Sequence, residues 1–395
     1  MRLVSFIRTN VGFGGHDGPY QSSLGEAAEQ LGWSFRCAVG TGWPKEQLSR
    51  FMTPALFQLS GRTGGPAGIL NRLIYMRSLE SALRAEIALP GEVALFADWP
   101  YVVETLALHL LLGALVEHKA QLWFMLRRMP KKGGLFERNY LIFFARARRA
   151  LGPQFKLVTD SFSLAEHAAE RWRLPDWTVL PIPHTEDALP TDARTNANDR
   201  VVMWWAGSPR PEKGHEIVLQ MLSRDAGAAD AEIVLPEMTF ADRAQDLRVQ
   251  LVPRGMSRPD YLSMLAASDM ILLPYDPWHY QDGTSGVFVE AMTAGRLPVV
   301  MAGTWMAHEL ERLNLSELVL TQVAWTAPDI VERLVRLARD EPLKARFNDQ
   351  RKLFVAAHGK AAFVEALRKL ALPQAQSAAE RAMLVNHRIE SAQGA

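Results

Sequence analysis

Two stretches of this chain combine residue types that could grip and activate a phosphorylated ligand. In residues 272–300, LLPYDPWHYQDGTSGVFVEAMTAGRLPVV, a buried strand ends at Pro274, and a loop rich in Asp, Gly, Thr and Ser follows. A helix then starts near Gly286. The backbone N–H groups of Thr284, Ser285, Gly286 and Val287 would be the unpaired donors of its first turn. Such donors, with the helix dipole, attract phosphate by ~0.3–1 kcal/mol for an exposed charge and ~2 kcal/mol when partly buried. Glycines at 283 and 286 would let a ligand approach the backbone. Glu290, one turn into the helix, could accept hydrogen bonds from a ribose diol. A capped helix with a solvated carboxylate accounts for the same residues. In residues 201–214, VVMWWAGSPRPEKG, a strand ends at Ala206, a Gly207–Ser208–Pro209 loop follows, and Lys213 opens a helix. Lys213 and Arg210 suit a diphosphate leaving group, whose charge builds up in the transition state. An ordinary charged surface turn fits as well.

Together the two stretches resemble the retaining GT-B glycosyltransferases of family 4, the glycosyl transferases group 1. That family's pattern runs Gly-Arg-Leu-x-x-x-Lys-Gly, then Glu-Gly-Phe-Gly-x-x-x-x-Glu-Ala-Met-Ala-x-Gly-x-Pro-Val-Val. Gly207, Lys213 and Gly214 match the first part; Asp282, Gly283, Glu290, Ala291, Met292, Ala294, Gly295, Pro298, Val299 and Val300 match the second. Residues 254–275 look like the family's segment before the donor-site strand, and 158–172 with 179–184 resemble the close of its first domain. The resemblance implies an α/β fold of two Rossmann-like, doubly wound parallel-sheet domains facing a cleft. It implies that Lys213 binds the donor diphosphate, that Glu290 holds the nucleotide ribose, and that Asp282 stands near the donor sugar. Asp282 is one methylene shorter than the family's Glu, and Ser208 replaces the family's Arg, a cation that Arg210 would replace. Thr284 and Ser285 replace the usual Phe and Gly. The expected activity is retaining, metal-independent transfer of a sugar from a nucleotide-sugar donor to a saccharide or lipid-linked acceptor, by front-face displacement, in cell-envelope polysaccharide or glycolipid synthesis. The nucleotide-sugar is then a co-substrate and no cofactor is expected. A GT-B epimerase or phosphorylase, a non-catalytic nucleotide-sugar-binding subunit and a plain lipid-surface scaffold remain alternatives.

The N-terminal half offers further candidates. The loop VGFGGHDGP at 11–19 follows the first strand; in GT-B proteins such a loop faces the acceptor and donor phosphate, which nominates Gly14 and Gly15, with His16 and Asp17 either touching the acceptor or merely exposed. Asp98, in FADWP at a strand end, is either a catalytic-cleft residue or a helix N-cap. Arg127 and Arg128 stand where many family members carry a His. Residues 119–156 hold ten Lys/Arg and one acid, Glu137, interleaved with Trp123, Phe124, Phe136, Tyr140, Phe143 and Phe144. Such a surface suits anionic lipid or an anionic acceptor, or is a core helix with a basic solvated face. Nucleic acid is disfavoured for want of a recognition motif. The chain has no Asp-x-Asp, no HExxH, no Walker loop and no Gly-x-Ser-x-Gly elbow, so no metal site is expected.

These residues need strand ends to carry them, and the pattern provides them. Strands are expected near 3–7, 34–39, 93–97, 122–126, 156–159 and 179–182, and again near 201–206, 232–235, 249–252, 270–273, 298–301 and 318–320, with helical patterns between. This alternation implies parallel strands with crossover helices. Residues 185–200 are polar and aperiodic and read as a linker. The expected division is an acceptor domain over 1–184, the linker 185–200, a donor domain over 201–372 and a tail over 373–395. At 395 residues, 48% hydrophobic, 22% charged and net +1, the chain has the composition of a two-domain globular protein. One cysteine, Cys37, excludes an intrachain disulfide. No run reaches the roughly 20 apolar residues of a spanning helix, so a cytoplasmic location is expected, with the basic stretch 119–156 as the part that would meet the inner membrane face.

Overall fold

The apolar runs are parallel strands buried on both faces, as crossover helices require. A computed structural model describes residues 1–8, 17–45, 48–59, 65–183, 199–206, 210–224, 230–240, 246, 248–253 and 256–372. The chain divides into two compact units, Met1–Pro183 with the chain from Lys360 onward, and His184–Gly359.

In the first unit the strands are β1 (Arg2–Phe6), β2 (Ser34–Gly40), β3 (Met52–Leu56), β4 (Val93–Asp98), β5 (Gln121–Leu126), β6 (Phe155–Thr159) and β7 (Trp177–Val179). The helices between them are α1 (Asp17–Gln30), α2 (Gly65–Ile87), α3 (Val102–Glu117), α4 (Leu135–Leu151) and α5 (Phe162–Trp172). The sheet order is β3-β2-β1-β4-β5-β6-β7, all parallel. Alternate strand residues feed opposite layers. Val4, Leu95 and Phe124 meet α2–α5 through Leu79, Leu83, Leu108, Leu111, Phe143 and Phe144. Leu3, Phe96 and Trp123 face the other way, toward Leu24 and Ala28 of α1.

The second unit contains β8 (Val201–Trp204), α6 (His215–Arg224), β9 (Ala231–Pro236), α7 (Glu237–Phe240), β10 (Val249–Val252), α8 (Arg258–Ala267), β11 (Met270–Leu273), α9 (Pro277–Tyr280), α10 (Gly286–Ala294), β12 (Leu297–Met301), α11 (Trp305–Arg312), β13 (Val319–Leu320), α12 (Gln322–Trp325), α13 (Ile330–Arg339) and α14 (Glu341–His358). Its order is β10-β9-β8-β11-β12-β13, again all parallel. Both sheets thus have the doubly wound 3-2-1-4-5-6 order. Arg351 of α14 donates to the carbonyls of Met292 and Thr293, closing the C-terminal end of α10 and fixing that helix.

Three details differ from the sequence expectation. The strand β3 was not expected: it carries Pro54, and its three middle residues are exposed, so it lacks a core strand's apolar run. The last helix, α15 (Lys360–Ala371), was assigned with 201–372 but belongs to the first unit. Phe363, Val364, Leu367 and Leu370 join the apolar layer of α1. Lys156, in β6, donates to the carbonyls of Leu370 and Leu372, the latter at 2.7 Å, and Gln121 donates to Ala371 O at 3.1 Å. Finally, the aromatic residues interleaved in 119–156 do not form a surface. Trp123, Phe124, Tyr140, Phe143 and Phe144 are fully buried and Phe136 packs against them. The expected linker falls almost wholly, and the tail at 373–395 wholly, outside the described residues. Among the described residues no helix is long and apolar enough to cross a membrane.

Candidate functional site

Doubly wound sheets bind ligands at the carboxyl ends of the strands where the order reverses. In the second unit that point lies between β8 and β11, and both motif stretches leave the sheet there. The β8 loop leads to a tight turn over Pro211–Lys213, closed by Gly214 at φ +81°. A Cβ at Gly214 would fall 2.0 Å from the Pro274 carbonyl oxygen, so the two loops touch through a glycine that no other residue could replace without movement. Asp276 N–H donates to Glu212 O at 3.0 Å, a second tie between the loops. Trp205 Nε1–H donates to Lys213 O at 3.1 Å and anchors the turn from below.

This framework holds the Lys213 side chain in an unusual place. The residue is 8% exposed, and its ammonium lies 5.3 Å from the centre of the Tyr275 ring. Among the described residues no carboxylate comes within ion-pairing distance of it. Burial pushes its pKa below the ordinary lysine value, with smaller opposing influences from Tyr280, Glu212 and Glu290 and a reinforcing one from Arg210. A buried cation without a counter-ion is costly unless a ligand supplies the charge. Arg210 stands at the head of the same turn, its Nε 3.3 Å from Glu212 Oε1, and is half-exposed.

The second stretch delivers the head of α10. Ser285 caps it, accepting from Phe288 N–H at 3.3 Å. The amides of Gly286 and Val287 open the helix with no preceding carbonyl to bond. Tyr275, buried just past β11, has the Lys213 ammonium over its ring and so joins the two loops. Asp282 and Thr284 are half-buried in the loop. Gly283 also packs closely against the α9 backbone. A Cβ there would lie 3.2 Å from His279 O, so a larger residue would crowd that carbonyl. Glu290 is not simply solvated. Oε1 accepts from Arg258 Nη1 at 2.7 Å and Oε2 from the Tyr261 hydroxyl at 2.6 Å. Each carboxylate oxygen has a second lone pair for another donor. The pair Arg258 and Tyr261, one turn apart on α8, was overlooked in the sequence, although their spacing puts both on one helix face. Tyr275 was likewise overlooked.

In the first unit the strand ends also gather charge. Asp98 ends β4, and the alternative that it caps a helix does not hold, because α3 starts after Tyr101, whose N–H donates to Glu104 at 3.0 Å. Both Asp98 oxygens accept from Arg127, at 2.7 and 2.9 Å, and Arg127 Nη1 donates to Asp160 Oδ2 at 2.9 Å. Arg127 also stacks over Tyr20 at 4.1 Å. Beside this network Trp99 takes a left-handed φ of +45°, and the guanidinium groups of Arg8 and Arg128 each lie 4.9 Å from its ring centre. Gly14, Gly15, His16, Gly207 and Ser208 lie outside the described residues. Among the described residues no group of three or more His, Cys, Asp or Glu could hold a metal ion.

No family model and no curated protein matches the sequence. Solved structures do match its fold. A glycosyltransferase from Rickettsia africae superposes with a TM-score of 0.63 over 93% of this chain and 97% of its own, at 11% identity. HepE from Anabaena in complex with UDP-glucose gives 0.62 over 94% and 99%, at 13% identity. This chain has the GT-B fold. The GT-B chain is also similar to a putative UDP-N-acetylglucosamine 2-epimerase from Listeria monocytogenes, with a TM-score of 0.54 over 90% and 95% at 14% identity.

Proposed function

We propose that this GT-B protein is a glycosyltransferase that takes a sugar from a nucleotide-sugar donor. The observation that carries the proposal is Lys213, a buried ammonium with no carboxylate partner among the described residues, at the switch point of the second sheet and beside the head of α10. A diphosphate supplies the missing counter-charge. In this reading Lys213 and Arg210 stabilise the charge that develops on the departing diphosphate, and the amides of Gly286 and Val287 donate hydrogen bonds to phosphate oxygens. Glu290, held by Arg258 and Tyr261, receives the ribose hydroxyls on its remaining lone pairs. Asp282 and the loop 283–285 lie toward the sugar. Among the described residues no side chain is an evident covalent nucleophile, and the retaining route proposed is front-face displacement, in which the leaving phosphate oxygen takes the acceptor's hydroxyl proton as the new glycosidic bond forms. The acceptor, a saccharide or lipid-linked saccharide, is assigned to the first unit, with Asp98 and the loop bearing Gly14, Gly15 and His16 as candidates. HepE is described with UDP-glucose, and this makes a uracil nucleotide the first donor to test.

The test is thermal stabilisation by UDP, GDP, ADP and their sugars. A ligand at 100 times its Kd should stabilise the fold by ~2.7 kcal/mol. The absence of a shift with every nucleotide would remove the reading. The likeness to a 2-epimerase keeps a second activity in view. It predicts a new sugar product from the nucleotide-sugar alone, whereas a transferase requires an acceptor.

A further inference from the structure

Helix α3 is apolar on every side. Its sequence, VVETLALHLLLGALVE, contains three ionisable residues, Glu104, His109 and Glu117. A helix of this kind is ordinarily buried all round or faces lipid. Here Leu108, Leu111 and Leu115 pack onto the sheet, while Val102, Leu106 (43% exposed) and Leu110 point outward. Helix α3 lies between α2 and α4, and Arg84 of α2 donates to Leu110 O at 3.1 Å. The apolar surface continues onto both neighbours. On α2, Ile69 (62% exposed), Leu70, Leu73 and Ile74 cover two turns of one face, and on α4 Leu135, Leu141 and Ile142 are exposed. Among the described residues, thirteen of the sixteen large apolar side chains left exposed lie between residues 69 and 162, so the exposure belongs to this layer rather than to the protein generally.

The exposed charge on the same layer is predominantly positive, with Glu117 at the C-terminal end of α3 as an acidic exception. Arg72 and Arg77 on α2 are exposed, as are Lys131 and Lys132 before α4 and Arg138, Arg146 and Arg149 on it. Among the described residues none of these seven cations has a carboxylate partner. Glu137 is buried and bound to Arg171 at 2.7 Å, and Glu80 is bound to Arg84 at 2.6 Å. A second copy of this chain would bring like charges together on such a face. An anionic bilayer satisfies both features at once, since leucine and isoleucine side chains enter the acyl boundary while Lys and Arg reach the headgroups.

We infer that the outer face of α2, α3 and α4 docks on an anionic membrane surface. The inference is independent of the transferase reading, because it uses no residue assigned to donor binding. Each basic residue near such a surface strengthens partitioning about fivefold. The test sediments the full chain with vesicles of phosphatidylcholine alone and of phosphatidylcholine with about one third phosphatidylglycerol. Binding should be at least tenfold stronger to the anionic vesicles and should weaken with salt. Leu106→Glu with Leu110→Glu, and separately Arg138→Glu with Arg146→Glu, should each abolish the preference without lowering the melting temperature or the response to UDP. All four side chains are exposed or at the edge of exposure, so the fold does not depend on them. Equal partitioning to both vesicle types, no binding to either, or variants that bind as well as the parent would overturn the inference. Self-association abolished by the same variants would assign the face to a second copy and overturn it as well.

Discussion

Replacing Lys213 separates the energetic role of a ligand site from that of a structural residue. The ammonium is 8% exposed, sits over the Tyr275 ring, and has no carboxylate beside it among the described residues. Two unit charges about 4 Å apart interact by ~4 kcal/mol at an effective dielectric of ~20. If half to all of a unit charge develops on the leaving phosphate, the transition state loses ~2–4 kcal/mol in Lys213→Met, or about 30- to 1000-fold in kcat. The folded protein without ligand responds in the opposite direction. Burial holds the Lys213 pKa below its unfolded value of 10.5. Between the folded and unfolded values the unfolded chain binds more protons, so stability rises with pH across that window, and below it the buried charge lowers stability. Lys213→Met should therefore melt at or above the parent temperature at neutral pH and lose this part of the alkaline rise. Nucleotide diphosphate should favour the charged lysine, so its affinity should fall as pH rises through the folded pKa. The assay is single-turnover transfer or donor hydrolysis, with melting curves of the same samples from neutral to alkaline pH. A variant that melts lower but turns over normally would refute the reasoning, because Lys213 would then be a packing residue.

Four further outcomes follow from the geometry. Tyr261→Phe should weaken UDP binding about fivefold and Glu290→Gln about tenfold, because the first removes one hydrogen bond to the carboxylate at ~1 kcal/mol and the second removes its charge; calorimetric titration checks both, and equal affinity in Glu290→Gln would deny it a nucleotide role. Gly214→Ala should lose about 2–4 kcal/mol in urea unfolding, since a Cβ meets the Pro274 carbonyl at a left-handed φ. Arg127→Gln leaves Asp98 and Asp160 buried without their shared cation and should cost about 3–5 kcal/mol; a melting temperature within a degree or so of the parent would show that water reaches the pair. Asp282→Asn should lower turnover more than UDP affinity, measured as a change in kcat at unchanged Kd, if its carboxylate lies toward the sugar.

Much of the fold was legible because parallel strands write themselves as short apolar runs. All six strands of the second unit and five of the first fell where the pattern put them. The strand expected near 179–182 is formed two residues earlier, by Trp177–Val179, and Leu180 N–H makes the last ladder bond to Thr159 O at 2.7 Å. The edge strand β3 escaped because Pro54 and exposed neighbours erase the apolar signal. The long helical pattern after residue 327 could not show where it changes partner, since α13, α14 and α15 have similar compositions and the ties to Lys156 and Gln121 span more than 200 residues. The candidate site was legible in its backbone: the turn ending at Gly214 and the capped head of α10 follow from glycine, serine and spacing. Its electrostatics were not. That Lys213 is buried, that Glu290 is held by Arg258 and Tyr261, and that Asp98 is consumed by Arg127 are tertiary facts, each joining residues from separate elements.

The position of α15 reaches beyond stability to the order of events during synthesis. Domains ordinarily fold in turn as they leave the ribosome, the N-terminal one first. Here the layer formed by Tyr20, Leu24 and Ala28 stays bare until Phe363 and Leu367 emerge, some 340 residues later by the numbering of those contacts. The later unit can therefore finish while the earlier one still lacks a wall, and a chaperone that shields α1 in the meantime would act on the nascent chain. The same arrangement sets a rule for exchanging units between related proteins: a graft that carries residues 1–183 must also carry 360–371.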